Sequence, residues 1–587
     1  MADQIPGVYT SFDREGDYSG TAPNNRALVF GLVPAGAPAP TGVPFLATSL
    51  TQVQQQSGAN WSQLARNYMA AKAQPASVGA EIWLLPVADP AGTSATRPLK
   101  FVPAPTYSSG WQVGTASASV AGTDCTIDVG GQIVSFAIPS GTTWANCAAL
   151  ANTALGTLGS DLVYAPSVNS ATVTLTDRHA SAITDDLPIR VWFSNPAAGV
   201  AVSMGTLTIA TTASGAGSVT LSDGVNTGSY TFANGDLVAA ITAGAATAIN
   251  ASTGYRAAQD SGAAGVITLY HRDDRYARRL SSTITAAVGT TAVLAAGTAG
   301  SGTPSLSSAL TFLAGESTAY KAWALCQADA TALGAVATSV IAQDATPIEK
   351  GQIVFCGLST ALPGTSLIGA TTPALSTTEL TTVLHTQAAT VPASQMAARV
   401  AVEVASETDH GRNYNGLRLI GSDSMPLAAA HKSDRSGRDT WNAGISAGYC
   451  PVTVDDSGRW YVVLARTTFA SASPVAQKLK KWSGALLPIF FRADLRQHLA
   501  SVFFKSGQGK SLKTKGQPMT DRGVSAKGVK SEILGRIKLW DASDYFDGLA
   551  GIADAIRIEI VGGQVKANVP FRMVADLDRI DITSPPA

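Results

Sequence analysis

One short motif could carry covalent chemistry: residues 444–448 read GISAG and match the G-x-S-x-G pattern of a nucleophile elbow. Asp455 and His498 follow Ser446 in the chain order of a hydrolase triad. Such an elbow needs a strand before its serine and a helix directly after it. Here the residues from Tyr449 onward lead straight into a predicted hairpin. We therefore predict that Ser446 is not catalytic.

Other patterns for catalysis or ligand binding are incomplete. Residues 507–511 (GQGKS) resemble the end of a phosphate-binding loop, but Phe504 stands where the first glycine belongs. The six histidines form no H-E-x-x-H and no pair spaced four apart, and the cysteines form no C-x-x-C. The sequence thus predicts no metal, no cofactor and no enzymatic activity.

The composition favours a subunit of an assembly. Charged residues make up 14% of the 587 residues, well below the roughly 25% of ordinary soluble domains. Lysine plus arginine equals aspartate plus glutamate at 41 each, which indicates no overall attraction to nucleic acid or membrane. A surface this poor in charge keeps a monomer in solution badly. We also expect no secretory signal, since MADQIPG lacks a basic and an apolar region, and no apolar run approaches the ~18 residues of a membrane span.

The elements predict an α/β core. Residues 27–33 (ALVFGLV) and 81–87 (EIWLLPV) are continuous apolar runs, typical of strands covered on both faces. Between them a helix is predicted from Asn60, with Trp61, Leu64, Ala65 and Tyr68 on one face. This βαβ order indicates a parallel sheet. It resumes later with strands at 318–326, 352–358 and 378–386 and with helices at 329–343 and around 396–404.

A long segment rich in Thr, Ser, Ala and Gly interrupts this core. Residues 132–155 align with residues 227–249, at an offset of 94 to 96 residues. We read the interruption, 103–302, as an inserted pair of α+β modules, about 103–200 and 201–302, on the surface of the core. Insertions of this kind cost little stability and can be lost without losing the core.

An α+β C-terminal domain is predicted after a hairpin that turns at 456–458. A helix is predicted over 473–504 and two strands around Gly562-Gly563. Residues 505–538 hold nine basic side chains against two acidic ones, a net of +7. This basic run fits a solvated face, a contact with an acidic protein surface, or a nucleic-acid patch.

Both ends of the chain are predicted to be extended arms. Residues 5–13 (IPGVYTSFD) alternate as a strand does, and the stretch after them predicts neither a hairpin turn nor a second strand. A lone strand leaves its main-chain donors and acceptors without partners, so we expect it to pair with another chain. The arm residues are Val8, Tyr9, Thr10 and Phe12 at the N-terminus and Leu577, Ile580 and Ile582 at the C-terminus.

The five cysteines are scattered, and two interpretations are open. They are either buried free thiols or, in an oxidising medium, bonds between chains. The residues are Cys125, Cys147, Cys326, Cys356 and Cys450.

Four stretches in this order resemble the sheath protein of contractile phage tails, in particular its Mu-like branch. Residues 5–13 resemble its PGVY-x-E opening, and 60–87 its first βαβ unit. Residues 442–469 resemble a passage in which Gly458, Arg466, Thr467 and Thr468 hold corresponding places, and 539–574 resemble its C-terminal domain. The likeness covers most of the chain outside 103–302.

This resemblance implies a structural subunit that polymerises helically around an inner tail tube and contracts to drive the tube through a bacterial envelope during genome delivery. It implies that the arms complete the C-terminal sheet of neighbouring subunits. The implied partners are other copies, the tube, the baseplate and the tail terminator, in a virion tail assembled in the host cytoplasm. Candidate residues facing the tube are Lys478, Lys480, Lys481, Lys510, Lys513 and Lys515. A static tail or baseplate component, and a secreted serine hydrolase with binding inserts, are the alternatives.

The predicted division of the chain is an N-terminal arm (1–20), the first part of the core (21–102), the inserted modules (103–302), the second part of the core (303–470), the C-terminal assembly domain (471–574) and a C-terminal arm (575–587).

Overall fold

The computed structural model describes most of the chain. The described residues are 12–14, 16–18, 25–107, 110–114, 120–181, 188–223, 226–252, 255–260, 263–272, 276–278, 280–285, 291–344, 350–359, 367–371, 374–386, 389–422, 425–470, 477–503, 511–512, 523–546, 548–561, 564–570 and 573.

Strands of this part of the chain are β1 (Phe12–Arg14), β2 (Gly16–Tyr18), β3 (Arg26–Val33), β4 (Phe45–Leu46), β5 (Glu81–Ala88), β6 (Thr96–Pro103), β7 (Thr106–Tyr107), β8 (Trp111–Gln112), β9 (Thr123–Val129), β10 (Gln132–Ile138), β11 (Tyr164–Asn169), β12 (Thr172–Asp177), β13 (Ile189–Phe193), β14 (Val200–Ile209), β15 (Gly217–Ser222), β16 (Thr227–Phe232), β17 (Tyr255–Gln259), β18 (Val266–His271), β19 (Ser281–Thr285), β20 (Ala292–Ala295), β21 (Ala322–Ala324), β22 (Ile353–Leu358), β23 (Thr381–His385), β24 (Arg418–Leu419), β25 (Cys450–Val454), β26 (Trp460–Val462), β27 (Ser511–Leu512), β28 (Gly523–Val524), β29 (Arg557–Val561) and β30 (Gln564–Asn568).

The α-helices are α1 (Leu50–Ser57), α2 (Gln63–Lys72), α3 (Trp144–Thr157), α4 (Val238–Ser252), α5 (Ser307–Gly315), α6 (Ala330–Asp344), α7 (Leu367–Ala370), α8 (Ala393–Ser406), α9 (Arg438–Ser446), α10 (Trp482–Phe503), α11 (Ala526–Ala542) and α12 (Ile552–Ala555).

The core is a nine-stranded sheet in the order β24-β26-β25-β23-β22-β21-β3-β5-β4. Its strands from β25 to β5 pair in parallel, and β26, β24 and β4 add in the antiparallel sense. Helices α2 and α8 pack on one face and α5 and α6 on the other. Every residue of β3 after Arg26 is buried, which explains the continuous apolar run in its sequence.

Helix α2 and strand β21 have different bounds in the structure from those predicted from the sequence. Helix α2 begins at Gln63 rather than near Asn60, because the Ser62 hydroxyl accepts the Ala65 N–H and caps the helix there. The strand predicted over 318–326 is shorter, and only Ala322–Ala324 pair with β3 and β22.

The inserted segment has its own hydrophobic core, made of residues between Leu99 and Leu280. A sheet in the order β11-β12-β6-β14-β18-β17 joins two similar units, one with α3 and one with α4. Strands β6 and β14 pair antiparallel at its centre. The inserted sheet already starts at Thr96, where the Thr96 N–H donates to the Thr298 carbonyl (3.0 Å), so entry and exit lie side by side.

The C-terminal unit packs around α10 and α11. Its core joins residues from Leu479 to Met573, including Phe491, Ile533 and Trp540. The hairpin β29–β30 and an isolated bridge between Phe546 and Met573 lie next to this core.

The N-terminal segment departs from its prediction. Strands β1 and β2 form an antiparallel pair with Phe12 opposite Tyr18 and Arg14 opposite Gly16. The prediction that no second strand follows is therefore wrong, because strands of three residues are too short to show a recognisable alternation in the sequence. Val8, Tyr9, Thr10, Leu577, Ile580 and Ile582 lie outside the described residues.

Candidate interaction surfaces

The GISAG motif is not a nucleophile elbow. Ser446 is the last residue of α9, and strand β25 follows, so the helix and strand stand in the reverse of the required order. The Asp455 carboxylate accepts the Arg459 N–H (2.8 Å), and His498 Nε2 lies 3.0 Å from the Glu532 carboxylate. The residues of the apparent triad are thus engaged in separate local contacts.

Within the described residues, no group of three or more His, Cys, Asp and Glu side chains is placed to hold a metal ion. No helix in the same part of the chain is long and apolar enough to cross a membrane. Of the GQGKS segment, only Ser511 is described.

The five cysteines are all buried, and none is joined to another within the chain. Burial raises the pKa of the Cys147 thiol to about 11 and those of Cys326 and Cys450 to about 12. A disulfide between chains needs accessible thiolates, so the burial of Cys125, Cys147, Cys326, Cys356 and Cys450 favours the interpretation as buried thiols over bonds between chains.

The predicted basic residues that are described lie at the joint between the core and the C-terminal unit. Lys478 and Lys480 belong to a short 3₁₀ helix and are half-buried, as is Lys481. The Lys478 ammonium donates to the Met573 carbonyl, and burial together with Arg466 lowers the pKa of Lys480. Lys510, Lys513 and Lys515 lie outside the described residues.

Helix α11 carries a basic face. Its lysines belong to the predicted basic run 505–538, but the sequence alone did not identify them as a surface of their own. Lys527 and Lys538 are exposed, with Lys530 half-buried between them. The other charges in the middle of this helix have partners: Arg536 bonds to the Asp494 carboxylate and Glu532 to His498. The spacing of the three lysines along one helix was the signal for this face.

The hairpin β29–β30 is a two-stranded sheet with no third strand among the described residues. One face carries Ile558, Ile560 and Val565, and the other pairs Glu559 with Lys566. Ile560 keeps 42% of its surface exposed. Both of its strands are edges in the described part of the chain, and an edge strand presents main-chain groups that can pair with a further strand.

Two threonines of the stretch that carries the resemblance bond to distant carbonyls, Thr467 to the C-terminal unit and Thr468 within the core. The buried Thr467 hydroxyl donates to the Leu479 carbonyl (3.0 Å), and the buried Thr468 hydroxyl donates to the Leu375 carbonyl (2.8 Å). Gly458 turns the β25–β26 hairpin with φ of +80°, a conformation that favours glycine.

A second set of contacts makes the same joint rigid. His410 stacks on Phe490 with ring centroids 4.2 Å apart, and burial together with nearby Lys321 lowers the pKa of His410 to about 4. Arg492 of α10 lies 3.5 Å from the Asp344 carboxylate at the end of α6, and both side chains are almost fully buried.

The inserted segment is tied to the core through helix α2. The Arg66 guanidinium donates to the Gly130 carbonyl and to the Gln132 amide oxygen, each at 3.1 Å. Its burial lowers the pKa of Arg66 to about 10. The N–H of Gln63, the first residue of α2, donates to His179 Nε2 (3.2 Å). The insert and the core therefore share buried polar contacts.

Similarity to solved structures is broad but distant. A sheath tail protein from Desulfitobacterium hafniense aligns over 97% of this chain and 96% of its own, at 12% identity and a TM-score of 0.42. The sheath tail protein Lin1278 from Listeria innocua aligns over 95% and 94%, at 9% identity and a TM-score of 0.41. The helical sheath of the anti-feeding prophage in its contracted state aligns over 45% and 70%, at 13% identity and 0.33.

No protein-family model matches the chain, and no curated protein matches its sequence. All three TM-scores are below 0.5.

Proposed function

We propose that this chain is the subunit of a contractile tail sheath of the Mu-like branch, which polymerises helically around an inner tail tube. The observation that carries the proposal is the two-stranded sheet β29–β30 in the stretch that resembles the sheath C-terminal domain, combined with sequences at both ends of the chain that predict extended arms. An incomplete sheet and spare strands on one molecule are the two halves of a head-to-tail contact.

The proposed organisation has an α/β core, an inserted pair of repeated α+β modules, an α+β C-terminal assembly domain and strand arms at 1–20 and 575–587. Separate hydrophobic cores for the insert and for the C-terminal unit support this division. The contacts of Thr467 and Arg492 between the core and the C-terminal unit support a subunit that moves as a rigid body.

Contraction in this proposal is a change between two packings of such rigid bodies, with the arms keeping their strand pairing. It drives the tube through a bacterial envelope. The proposed partners are other copies of the chain, the tube protein, the baseplate and the tail terminator, in a tail assembled in the host cytoplasm. The lysines of 505–538 and of α11 are proposed to face an acidic tube surface, since charge contacts can be released without rebuilding an apolar core.

Negative-stain electron microscopy of the full chain expressed alone tests the proposal. We expect long, hollow, ridged tubes of uniform width, because donated strands that do not close on themselves build open helices. The same preparation mixed with tube protein provides a template for assembly. Small uniform particles in both preparations would contradict the sheath proposal and favour a static tail component.

A further inference from the structure

Both edges of the core sheet are covered by the side-chain amide of a glutamine. An edge strand presents outward N–H and C=O groups that can pair with a strand of another molecule. Here β4 forms one edge and β24 the other. At each edge the amide of one glutamine bonds to two outward main-chain groups.

At the β4 edge the glutamine is Gln52. The Ala47 N–H donates to the Ile82 carbonyl of β5 (2.9 Å), so the main-chain groups of Leu46 and Thr48 point away from the sheet. The Gln52 amide donates to the Leu46 carbonyl (3.2 Å), and its oxygen accepts the Thr48 N–H (2.8 Å). A residue of an added parallel strand would form this same pair of bonds.

The local sequence holds Gln52 in this position. Ser49 caps helix α1, and its hydroxyl accepts the Gln52 N–H (3.1 Å). The spacing from Ser49 to Gln52 is that of a capping box, in which the third helical residue turns back over the start of the helix. The Thr48 hydroxyl also donates to the Gln52 amide oxygen (2.9 Å).

At the β24 edge the glutamine is Gln74. The Val462 N–H of β26 donates to the Leu417 carbonyl (2.9 Å), so the main-chain groups of Ile420 point outward. The Ile420 N–H donates to the Gln74 amide oxygen (3.2 Å), and the Ile420 carbonyl accepts from the Gln74 amide (2.6 Å) and from Arg399 Nε (3.2 Å). Exposed Arg418 adds a charge to this short edge strand.

At the β4 edge, exposed apolar side chains lie beside the main-chain groups that Gln52 bonds. Leu46 is 37% exposed and Leu50 39% exposed. Apolar side chains beside open main-chain groups would favour edge-to-edge association. By contrast, β29–β30 has an exposed apolar residue, Ile560, and no third strand among the described residues.

We propose that Gln52 and Gln74 close the core sheet to strand addition by a second copy of this chain, so that strand exchange is directed to β29–β30. The closing of the edges concerns the core sheet alone and holds whether or not the chain forms a sheath. Only its link to β29–β30 rests on the proposed function.

Cross-linking at Leu46 tests the proposal on the full chain. We expect Leu46→Cys to form little disulfide-linked dimer with diamide as oxidant, because all five native cysteines are buried and the edge is covered. Adding Gln52→Ala should raise the dimer severalfold, since paired residues on adjacent strands come within disulfide range. The matched control is Gln55→Ala, at an exposed position of the same helix. Equal dimer in all three proteins would overturn the proposal.

A second variant separates edge closure from general weakening of the fold. Gln52→Glu keeps the acceptor for Thr48 and loses the donor to Leu46, but it places a charge on the edge that opposes strand addition. We expect its dimer yield to stay near that of Leu46→Cys alone. Dimer equal to that of Gln52→Ala would show that lost stability, and not an opened edge, causes association. Hydrogen exchange at the Thr48 amide gives an independent readout, with faster exchange expected in the Ala variant.

Discussion

Several buried polar side chains of this chain bond to main-chain groups of another unit. Arg66 of α2 bonds to Gly130 of the insert, and Thr467 of the core bonds to Leu479 of the C-terminal unit. Such a bond contributes little net energy when formed, but leaving a buried carbonyl unpaired costs about 1–3 kcal/mol. Single residues therefore fix how the units sit against each other.

Arg66 gives the first prediction at this scale. Replacing Arg66 by Leu leaves the Gly130 carbonyl without its donor and should lower the free energy of unfolding by about 2 kcal/mol. Urea denaturation measures this change. Lys72→Leu, at the exposed end of the same helix, is the control and should have little effect. Equal stability of Arg66→Leu and wild type would contradict a structural role for the contact.

His410 predicts a pH dependence. Its pKa in the folded chain is about 4, below the ordinary value near 6.5, so the unfolded chain binds the proton first as the pH falls. Stability from the neutral imidazole is complete above about pH 6.5 and is lost as the pH falls towards 4, by up to about 3 kcal/mol.

His410→Phe retains the stacking on Phe490 and cannot titrate. Urea midpoints measured between pH 7.5 and 4.5 should therefore fall less steeply for this variant than for wild type. Parallel slopes for His410→Phe and wild type would contradict the assignment.

At the scale of elements, the proposed arms are expected to decide assembly. In the part of the chain whose burial is described, the first residue of the four hydrophobic cores is Ala27. Deleting residues 1–16 should leave the thermal transition unchanged and abolish tubes, because strand donation is lost. Electron microscopy and circular dichroism give the two readouts. Tubes of normal length from the truncated chain would contradict donation by this arm.

The basic run gives a second prediction for an element. Reversing Lys510, Lys513 and Lys515 to Glu should weaken co-sedimentation with inner tubes, and raising the salt concentration should reduce the difference from wild type. The matching Lys→Arg variant keeps the charge and should co-sediment normally. Co-sedimentation of the Glu variant at the wild-type level would remove these residues from the tube contact.

Elements with strong patterns could be predicted from the sequence, and contacts across units could not. Residues 27–33 indicated a doubly covered strand because nearly every side chain is apolar, and β3 spans Arg26–Val33. The order of Ser446 and its neighbours also excluded a nucleophile elbow. Arg66, however, lies in the polar sequence QLARNYMAAK, which reads as a partly solvated helix until the insert covers it. Gln74 likewise carries no local signal of its bond to Ile420, which lies far along the chain.

At the scale of the whole molecule, the insert has its own hydrophobic core and is hydrogen-bonded to the α/β core. The chain enters and leaves it side by side, at Thr96 and Thr298, so removing 97–297 needs only a short linker. The sequence predicted that such a loss would spare the core. Arg66 changes that expectation, because deletion uncovers its buried guanidinium and removes its acceptors.

We therefore expect the deletion alone to lower the melting temperature of the remaining chain, and the deletion combined with Arg66→Leu to differ little from Arg66→Leu in the full chain. Differential scanning calorimetry of wild type, the deletion, Arg66→Leu and the combined variant completes this double-mutant cycle. Additive effects of the deletion and the substitution would contradict coupling between Arg66 and the insert.

Strands from other copies are proposed to complete the sheet at β29–β30. Cryo-electron microscopy of the assembled full-length chain tests it most directly. We expect continuous density for at least one added strand beside Arg557–Val561 or Gln564–Asn568, and this strand should be traceable to another subunit. An assembled tube in which this hairpin remains two-stranded and both arms lie elsewhere would contradict it.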